Sequence, residues 1–209
     1  MRILVNAGPT REFIDTVRFI SNASSGQMGY AIARQAKQAG HDVVLVSGPV
    51  SLTPPDGVRV VRVISADAMF EACRSAFDEC EAAVLTAAVC DYRPADPLNH
   101  KLKKTAGGRS LRLEPTPDIA AHLGRHKGPR IVVGFALEDR DARRHAEAKL
   151  RNKHLDAVAL NTPANLAARQ ATIEILTADG QWSGPIAGTK DEVAVEIVRL
   201  VERLAARRR

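Results

Sequence analysis

Short, continuous apolar runs separated by helical patterns constrain this chain more than any other feature. Ile3-Leu4-Val5, inside a stretch from Arg2 to Ala7, is the first, and Gly8 closes it. A run that is apolar on both faces and only a few residues long suits a central strand of a parallel sheet. Val43 to Val46, Val58 to Val63, Ala82 to Val89, Ile131 to Ala136 and Ala157 to Leu160 repeat the pattern. Helical signals fill the gaps. Met28, Ile32, Ala36 and Ala39 recur at helical spacing between Gly26 and Ala39, and Gly40 follows as a stop. Ser65 is placed to cap a helix from Ala66 to about Cys80, with Met69, Cys73 and Ala76 on one face. Thr116-Pro117-Asp118 reads as a helix start: a capping threonine, a proline at the first position and an acid in the first turn. Asp141 to about Asn152 is the next helix, and Thr189 with Glu192 forms a capping box that opens the last one, through Val193, Ile197 and Leu200.

This alternation predicts an α/β protein: a Rossmann-like, doubly wound, mostly parallel sheet. Leu111 to Leu113 reads as a short extra strand. Thr172 to Leu176 and the region of Trp182, joined through Asp179-Gly180, read as an antiparallel hairpin added at the edge. No internal repeat or linker divides residues 1–209, so one domain is expected, with a mobile lysine-rich flap over about 94–109. Right-handed crossovers place the loops after the first, fourth, fifth and sixth strands along one rim, where ligands of such sheets bind. Asn22, Asp91, Phe135 and Asn161 then share one side.

Composition narrows the class. Hydrophobic residues are 45% and charged residues 26%, ordinary for a soluble globular protein. No apolar run approaches the ~18 residues of a membrane span, and Met1-Arg2 leads straight into a strand without a signal-peptide pattern. Cys73, Cys80 and Cys90 form no C-x-x-C, which fits a reducing cytoplasm; the first two read as helix residues, one or both buried. The net charge is +6, three of the positives being Arg207-Arg208-Arg209, read as a solvated surface. The other clusters, Lys101, Lys103 and Lys104 and a basic run from Arg140 to His154, suggest an anionic ligand or nucleic acid. Aromatic content of 4% argues against stacking platforms for single-stranded nucleic acid.

The polar stretch from Gly8 to Gly29 is longer than a strand-to-helix turn needs. It carries Arg11, Arg18 and Asn22, then Ser24, Ser25 and Gly26 at a helix start, where backbone N–H groups favour an anion. The lysine flap is either a solvated charge run or a lid that closes on phosphate. Asp91, after the fourth strand, either orients a nucleotide or a metal ion or caps a turn. Lys149 and Lys153, one helical turn apart, either reach one anion or form an exposed face. His122 and His126 have no third ligand nearby, and Cys90 has no histidine near it in sequence, so neither zinc nor a thiol nucleophile is expected. A nicotinamide-dependent reductase fits poorly: G-x-G-x-x-G is absent, and the second strand ends in Ser47-Gly48-Pro49 without a ribose-binding acid. A non-catalytic nucleic-acid-binding module using the basic loops is the other alternative.

Ala7-Gly-Pro-Thr-Arg-Glu12, Val17-Arg-Phe-Ile-Ser-Asn22 with Ser24-Ser-Gly26 and Met28-Gly29, Ala87-Ala-Val-Cys-Asp-Tyr-Arg93, Lys101-Leu-Lys-Lys104, Thr116-Pro-Asp-Ile119 and Val133-Gly-Phe-Ala136 occur in one order. Together they resemble the phosphopantothenate–cysteine ligase (phosphopantothenoylcysteine synthetase) family of coenzyme A biosynthesis, over almost the whole chain. The resemblance implies that 4′-phosphopantothenate and L-cysteine are joined through an acyl-nucleotide formed from CTP or ATP with Mg²⁺. It implies that Asn22 holds the substrate carboxylate, with Arg18 nearby and Ser24, Ser25 and Gly26 alongside. Lys101 would come down on the triphosphate. Thr86, Ala87, Asp91, Pro117, Asp118, Ile119, Ala120, Phe135, Lys149 and Lys153 would form the nucleotide pocket. The metal ligands stay unassigned.

The resemblance also implies a cytoplasmic homodimer with sites near the subunit interface, no nucleic-acid or membrane partner, and CTP rather than ATP, as is usual for bacterial members. Many such members are fused to a flavin-dependent decarboxylase. Nothing precedes Met1, so a stand-alone enzyme or an excised domain is expected, with the decarboxylase separate. Cys90 stands where alanine is common, Gln27 where lysine is common, and Glu138-Asp139 where Glu-Thr is frequent. The change at Gln27 removes one anion contact.

Overall fold

The computed structural model describes residues 1–162 and 170–208. Its strands are β1 (Arg2–Ala7), β2 (Arg11–Phe13), β3 (Phe19–Ser21), β4 (Asp42–Ser47), β5 (Arg59–Arg62), β6 (Ala82–Leu85), β7 (Tyr92–Pro94), β8 (Leu113–Pro115), β9 (Ile131–Leu137), β10 (Ala157–Asn161), β11 (Gln170–Thr177) and β12 (Trp182–Thr189). Its helices are α1 (Gln27–Gln38), α2 (Ala66–Phe77), α3 (Ile119–Arg125), α4 (Ala142–Asn152) and α5 (Lys190–Ala206).

The main sheet has eight strands in the order β12-β11-β10-β9-β6-β1-β4-β5. β5 through β10 of this order run parallel, and β11 and β12 add antiparallel at the edge. This is the doubly wound, mostly parallel sheet with an added hairpin that the apolar runs predict. From β1 the chain winds to β4 and β5 on one side, then α2 carries it back to β6 on the other. The carboxyl ends of β1 and β6 therefore flank the switch point, where a crevice opens.

Each face buries its own core. Ile32, Ala33 and Ala36 of α1 and Val193, Ile197 and Val201 of α5 cover one side of the sheet. Met69, Cys73 and Phe77 of α2, with Ile119 and Leu123 of α3 and Ala146 and Leu150 of α4, cover the other. Small residues on α1 let it sit close to the sheet. A Cβ on Gly29 would lie 2.5 Å from both the Ala7 Cβ and the Thr86 Oγ1, so only glycine allows this approach.

Several boundaries differ from the sequence reading, each for a local reason. The fourth parallel strand stops at Leu85, not Val89, because the Asn6 amide oxygen takes the Thr86 and Ala87 N–H groups at 2.8 and 2.9 Å and draws the chain out of the ladder. The short strand lies at Leu113–Pro115, pairing with β7, rather than at Leu111–Leu113. α3 is capped by Asp118, whose side chain accepts from the Ala121 N–H at 2.9 Å, so Thr116 and Pro117 lie outside the helix. The long loop after β1 contains a two-stranded ribbon, β2–β3, that its polar sequence does not announce.

The terminal arginines are not a free surface. The Arg208 guanidinium donates to the Arg130 carbonyl at 2.6 Å and to the buried Asp156 carboxylate, and Arg207 pairs with Asp179 at 3.6 Å. Asp156 also accepts from Lys127 at 2.7 Å and from the Val132 N–H at 2.8 Å, fixing the end of α5 to the sheet. Arg209 lies outside the described residues. In the basic run, Arg143 pairs with Glu174, Arg144 with Asp141 at 3.1 Å and His145 with Glu138 at 3.1 Å, so much of its charge is matched locally. All three cysteines are free and buried, and Cys80 follows α2 instead of belonging to it.

Candidate functional site

A cavity of about 830 Å³ opens over the carboxyl ends of β1, β6 and β9. That is the volume range of small-molecule sites. Four segments supply most of its wall: the loop from Asn22 into α1, the turn after β6, the start of α3, and the end of β9 with the inner face of α4; Asn6, Asn161, Ala171 and Lys190 also line it.

The first segment is the end of the long loop. Asn22, Ser24, Ser25 and Gly26 all line the cavity. Gly26 stands before α1 with φ 75°, a left-handed conformation that aims the first turn at the opening. Asn22 donates both amide protons, to the carbonyls of Ala88 and Val89 at 3.0 Å each. It thus joins the loop to the turn after β6. For Asn22 to hold a carboxylate through its amide N–H groups, one of these bonds must be exchanged.

That turn is held from below. Besides its two amide bonds to Asn6, Thr86 donates its hydroxyl to the Asn6 carbonyl at 2.6 Å. Ala88 N–H donates to the Gly8 carbonyl at 3.0 Å, and Cys90 N–H to the Thr10 hydroxyl at 2.9 Å. Thr116 closes the far side by donating its hydroxyl to the Cys90 carbonyl at 2.6 Å. Thr86, Ala87 and Asp91 are thereby fixed in the lining, and the Asp91 carboxylate makes no ion pair among the described residues. Burial pushes the Cys90 thiol above its ordinary pKa, against a thiolate nucleophile. Burial likewise pushes Cys73 up to about 12 and Cys80 to about 11.

Pro117, Asp118, Ile119 and Ala120 form the next wall, facing Phe135 at the end of β9. Lys149 and Lys153 both reach it, as the shared-anion reading of their spacing requires. Lys149 Nζ donates to the Phe135 carbonyl at 2.5 Å. Burial, and then the neighbouring Lys153 charge, lowers its pKa. Lys153 pairs with Asp118 at 2.9 Å. Burial works against the Asp118 carboxylate, but the Ala121 N–H and Lys153 outweigh it and lower its pKa. The wall therefore carries one matched cation and one ammonium bonded only to a carbonyl.

Arg18 and Lys101 are not in the lining. The Arg18 guanidinium pairs with the buried Asp15 at 2.5 Å and donates to the Leu102 carbonyl at 3.0 Å. Leu102 N–H donates back to Asp15 at 3.0 Å, and Leu98 N–H to the Ile14 carbonyl at 2.9 Å. The flap is thus laid along the long loop, with Lys101 exposed. His122 and His126 stack with ring centroids 4.4 Å apart. Among the described residues no group of three or more His, Cys, Asp or Glu gathers to hold a metal.

Sequence reading missed Asn6, Glu138 and Lys190, which also line the cavity. Asn6 is a polar residue inside an apolar run, a visible oddity that could have flagged it. Lys190 was hidden behind the capping box, where only Thr189 and Glu192 drew notice.

The comparisons with known proteins agree with this architecture. Residues 1–204 match the model of the DNA/pantothenate metabolism flavoprotein C-terminal domain. The chain is 42% identical over 208 residues to the coenzyme A biosynthesis bifunctional protein CoaBC of Bacillus subtilis (strain 168), covering 97% of this chain and 51% of that protein. It is 43% identical over 206 residues to a cysteine/cysteine sulfinic acid decarboxylase from an unidentified prokaryote, covering 96% of this chain and 57% of that protein. It therefore spans about half the length of the curated relatives it matches. A crystal structure of the C-terminal domain of CoaBC superposes with a TM-score of 0.86 at 38% identity, covering 99% of this chain and 96% of that one. With its switch-point cavity and with 1–204 matched end to end, the chain belongs to the DNA/pantothenate metabolism flavoprotein C-terminal domain family.

Proposed function

We propose that this chain is a phosphopantothenate–cysteine ligase. The observation that carries the reading is the composition of the cavity: among the described residues, cations, side-chain amides and a helix start line it together with a few carboxylates, and no cysteine does. Such a site suits nucleotidyl transfer, in which positioning and charge stabilisation dominate. The match to the C-terminal domain of bifunctional coenzyme A biosynthesis proteins supports the same chemistry.

The reaction has two steps. A carboxylate oxygen of 4′-phosphopantothenate attacks the α-phosphorus of the nucleotide, and the bond to the β-phosphate breaks, releasing pyrophosphate. The cysteine amine then attacks the acyl carbon; the bond to the nucleoside monophosphate breaks and the amine proton leaves to solvent. Asn22 orients the carboxylate and the acyl intermediate against the turn at Thr86 and Ala87. Lys149 and Lys153 face the nucleotide from α4, and Phe135 with Pro117 to Ala120 walls its base. The flap closes so that Lys101 meets the triphosphate, with Arg18 at its hinge.

CTP is the proposed nucleotide over ATP, as in bacterial members of the resembled family. Mg²⁺ would neutralise phosphate charge. It is usually held by one or two carboxylates plus substrate phosphates and water, and the unpaired Asp91 carboxylate offers that kind of donor.

The assembly we propose is a homodimer. Phe13, Val17 and Phe19 on the β2–β3 ribbon and Tyr92 and Leu113 on the adjoining β7–β8 ribbon are exposed together, an apolar face of the kind that subunits cover. No helix among the described residues is long and apolar enough to cross a membrane, and we place the enzyme in the cytoplasm. A flavin-dependent decarboxylase, on a separate chain or an adjoining one, would consume the product.

The test incubates the protein with 4′-phosphopantothenate, cysteine, Mg²⁺ and either CTP or ATP, following pyrophosphate and monophosphate. Release of both with CTP is expected. No pyrophosphate with either nucleotide overturns the reading.

A further inference from the structure

Asn6 is the polar exception within the apolar strand β1, and it is only 2% exposed where it meets the cavity. Burying an amide is unfavourable unless its polar atoms find partners. The Asn6 side-chain oxygen finds two, the Thr86 and Ala87 N–H groups at 2.8 and 2.9 Å, from a turn 80 residues further along the chain. The amide nitrogen meets the Met69 sulfur at 4.0 Å, and a thioether is a weak acceptor. The half of this side chain that matters is its oxygen.

That oxygen decides where the turn goes. β6 pairs with β1 as far as Leu85, opposite Asn6, and then leaves the ladder. Asn6 holds the next two residues, Thr86 and Ala87, by their N–H groups. Asn22 holds the two after those, Ala88 and Val89, by their carbonyls at 3.0 Å each. Four consecutive residues are thus gripped from below by one asparagine and from above by another. Asn22 is an exposed loop residue, and these two carbonyls anchor its amide. A shift of the turn would move both anchors together.

We infer that Asn6 is a positioning residue for acyl-nucleotide formation: by fixing the turn after β6 it sets where Asn22 stands. The inference rests on the ligase reading and on the part that Asn22 takes in it. Displacing a group that aligns reacting atoms, even slightly, lowers rate more than it lowers binding.

The test compares wild type with Asn6→Leu, which removes the accepting oxygen at similar volume, and Asn6→Asp, which keeps that oxygen and discards only the NH2 group. Single-turnover release of pyrophosphate from 4′-phosphopantothenate and CTP gives the rate of the first step, and steady-state assays give the nucleotide KM. Asn6→Leu should slow the first step by about tenfold or more and move the nucleotide KM by less than about threefold. Asn6→Asp should keep most of the rate. On an Asn22→Ala background the same Asn6→Leu change should cost much less, because the residue it acts through is gone. Nuclear magnetic resonance gives a readout that needs no turnover: the Asn22 side-chain NH2 signals should shift in Asn6→Leu and stay close to wild type in Asn6→Asp. Asn6→Ala replaces Asn6→Leu in every comparison if leucine disturbs the fold. A wild-type rate in Asn6→Leu, an equal loss in Asn6→Asp, or an equal loss on the Asn22→Ala background overturns the inference. So do Asn22 signals that stay in place. If wild type releases no pyrophosphate while Asn6→Leu moves the Asn22 signals, the ligase reading fails and the link between the two asparagines stands.

Discussion

Asp15 and Leu102 are 87 residues apart, yet the Leu102 N–H donates to the Asp15 carboxylate at 3.0 Å. The same buried carboxylate accepts from the Val17 N–H at 2.8 Å, the Arg18 N–H at 2.7 Å and the Arg18 guanidinium at 2.5 Å. One side chain therefore fastens the flap to the long loop after β1. Burial opposes the charge, but these four donors outweigh it and hold the Asp15 pKa far below the ordinary carboxylate range.

A depressed folded-state pKa gives a stabilisation that is complete above the unfolded value, near ~4, and is lost as pH falls below it. Asp15→Asn should therefore have a lower Tm than wild type at neutral pH, and the gap should shrink progressively below about pH 4. Thermal melts of both proteins across that range check it. A gap that is constant down to strong acid would mean that the carboxylate charge contributes nothing to the latch.

Lys101 is next to Leu102 of this latch and stands exposed. If the flap closes on the triphosphate, Lys101→Ala should raise the nucleotide KM about tenfold or more, the effect of losing one charge-assisted contact of roughly 1.5–3 kcal/mol. The KM of cysteine should move little. Full activity at limiting nucleotide would leave the flap a surface loop.

How much of this was legible depended on range in sequence. The apolar runs Ile3-Leu4-Val5 and Ile131 to Ala136 declared their strands because a central parallel strand is buried on both faces. The rim followed from handedness, so Asn22, Asp91, Phe135 and Asn161 could be put together before any coordinates were known; all four line the cavity. Lys149 and Lys153 carried their relationship in helical spacing. What stayed hidden was settled by partners far along the chain. Asn6 cuts β6 short by capturing Thr86 and Ala87, Asp15 needs Leu102, and Lys190 needs Gln27. None of these pairs has a local signature, because a hydrogen bond between distant segments exists only once the sheet order has brought them together.

Asn22 couples the loop to the turn after β6 through two carbonyls, and this bears on its substitution. An aspartate there would set a carboxylate oxygen against the Ala88 and Val89 carbonyls and repel the substrate carboxylate as well. Asn22→Asp should lower kcat/KM for acyl-nucleotide formation by about 100-fold or more, a loss of ~2.7 kcal/mol of transition-state stabilisation. Single-turnover release of pyrophosphate, followed separately from cysteine addition, measures it. Untouched rates in both half-reactions would remove Asn22 from the chemistry.

Lys149 makes the opposite trade. Its ammonium is buried against the Phe135 carbonyl, and burial with the Lys153 charge lowers its pKa, so folding disfavours the charged form. A lysine whose folded pKa is lowered costs stability wherever the unfolded chain still holds the proton. That cost is full at neutral pH and fades as pH rises through the ordinary lysine value near ~10.4. Replacing the ammonium with a similarly shaped apolar chain removes it. Lys149→Met should therefore raise the Tm of the nucleotide-free protein by about 2–4 °C for each kcal/mol relieved, with the gain shrinking toward pH 10. If the buried charge serves the nucleotide, the same variant should also lose nucleotide affinity. Melting curves with and without CTP separate the two effects: wild type should gain more Tm from the nucleotide than Lys149→Met does. Equal gains in both proteins would show that Lys149 only fills space beneath Phe135.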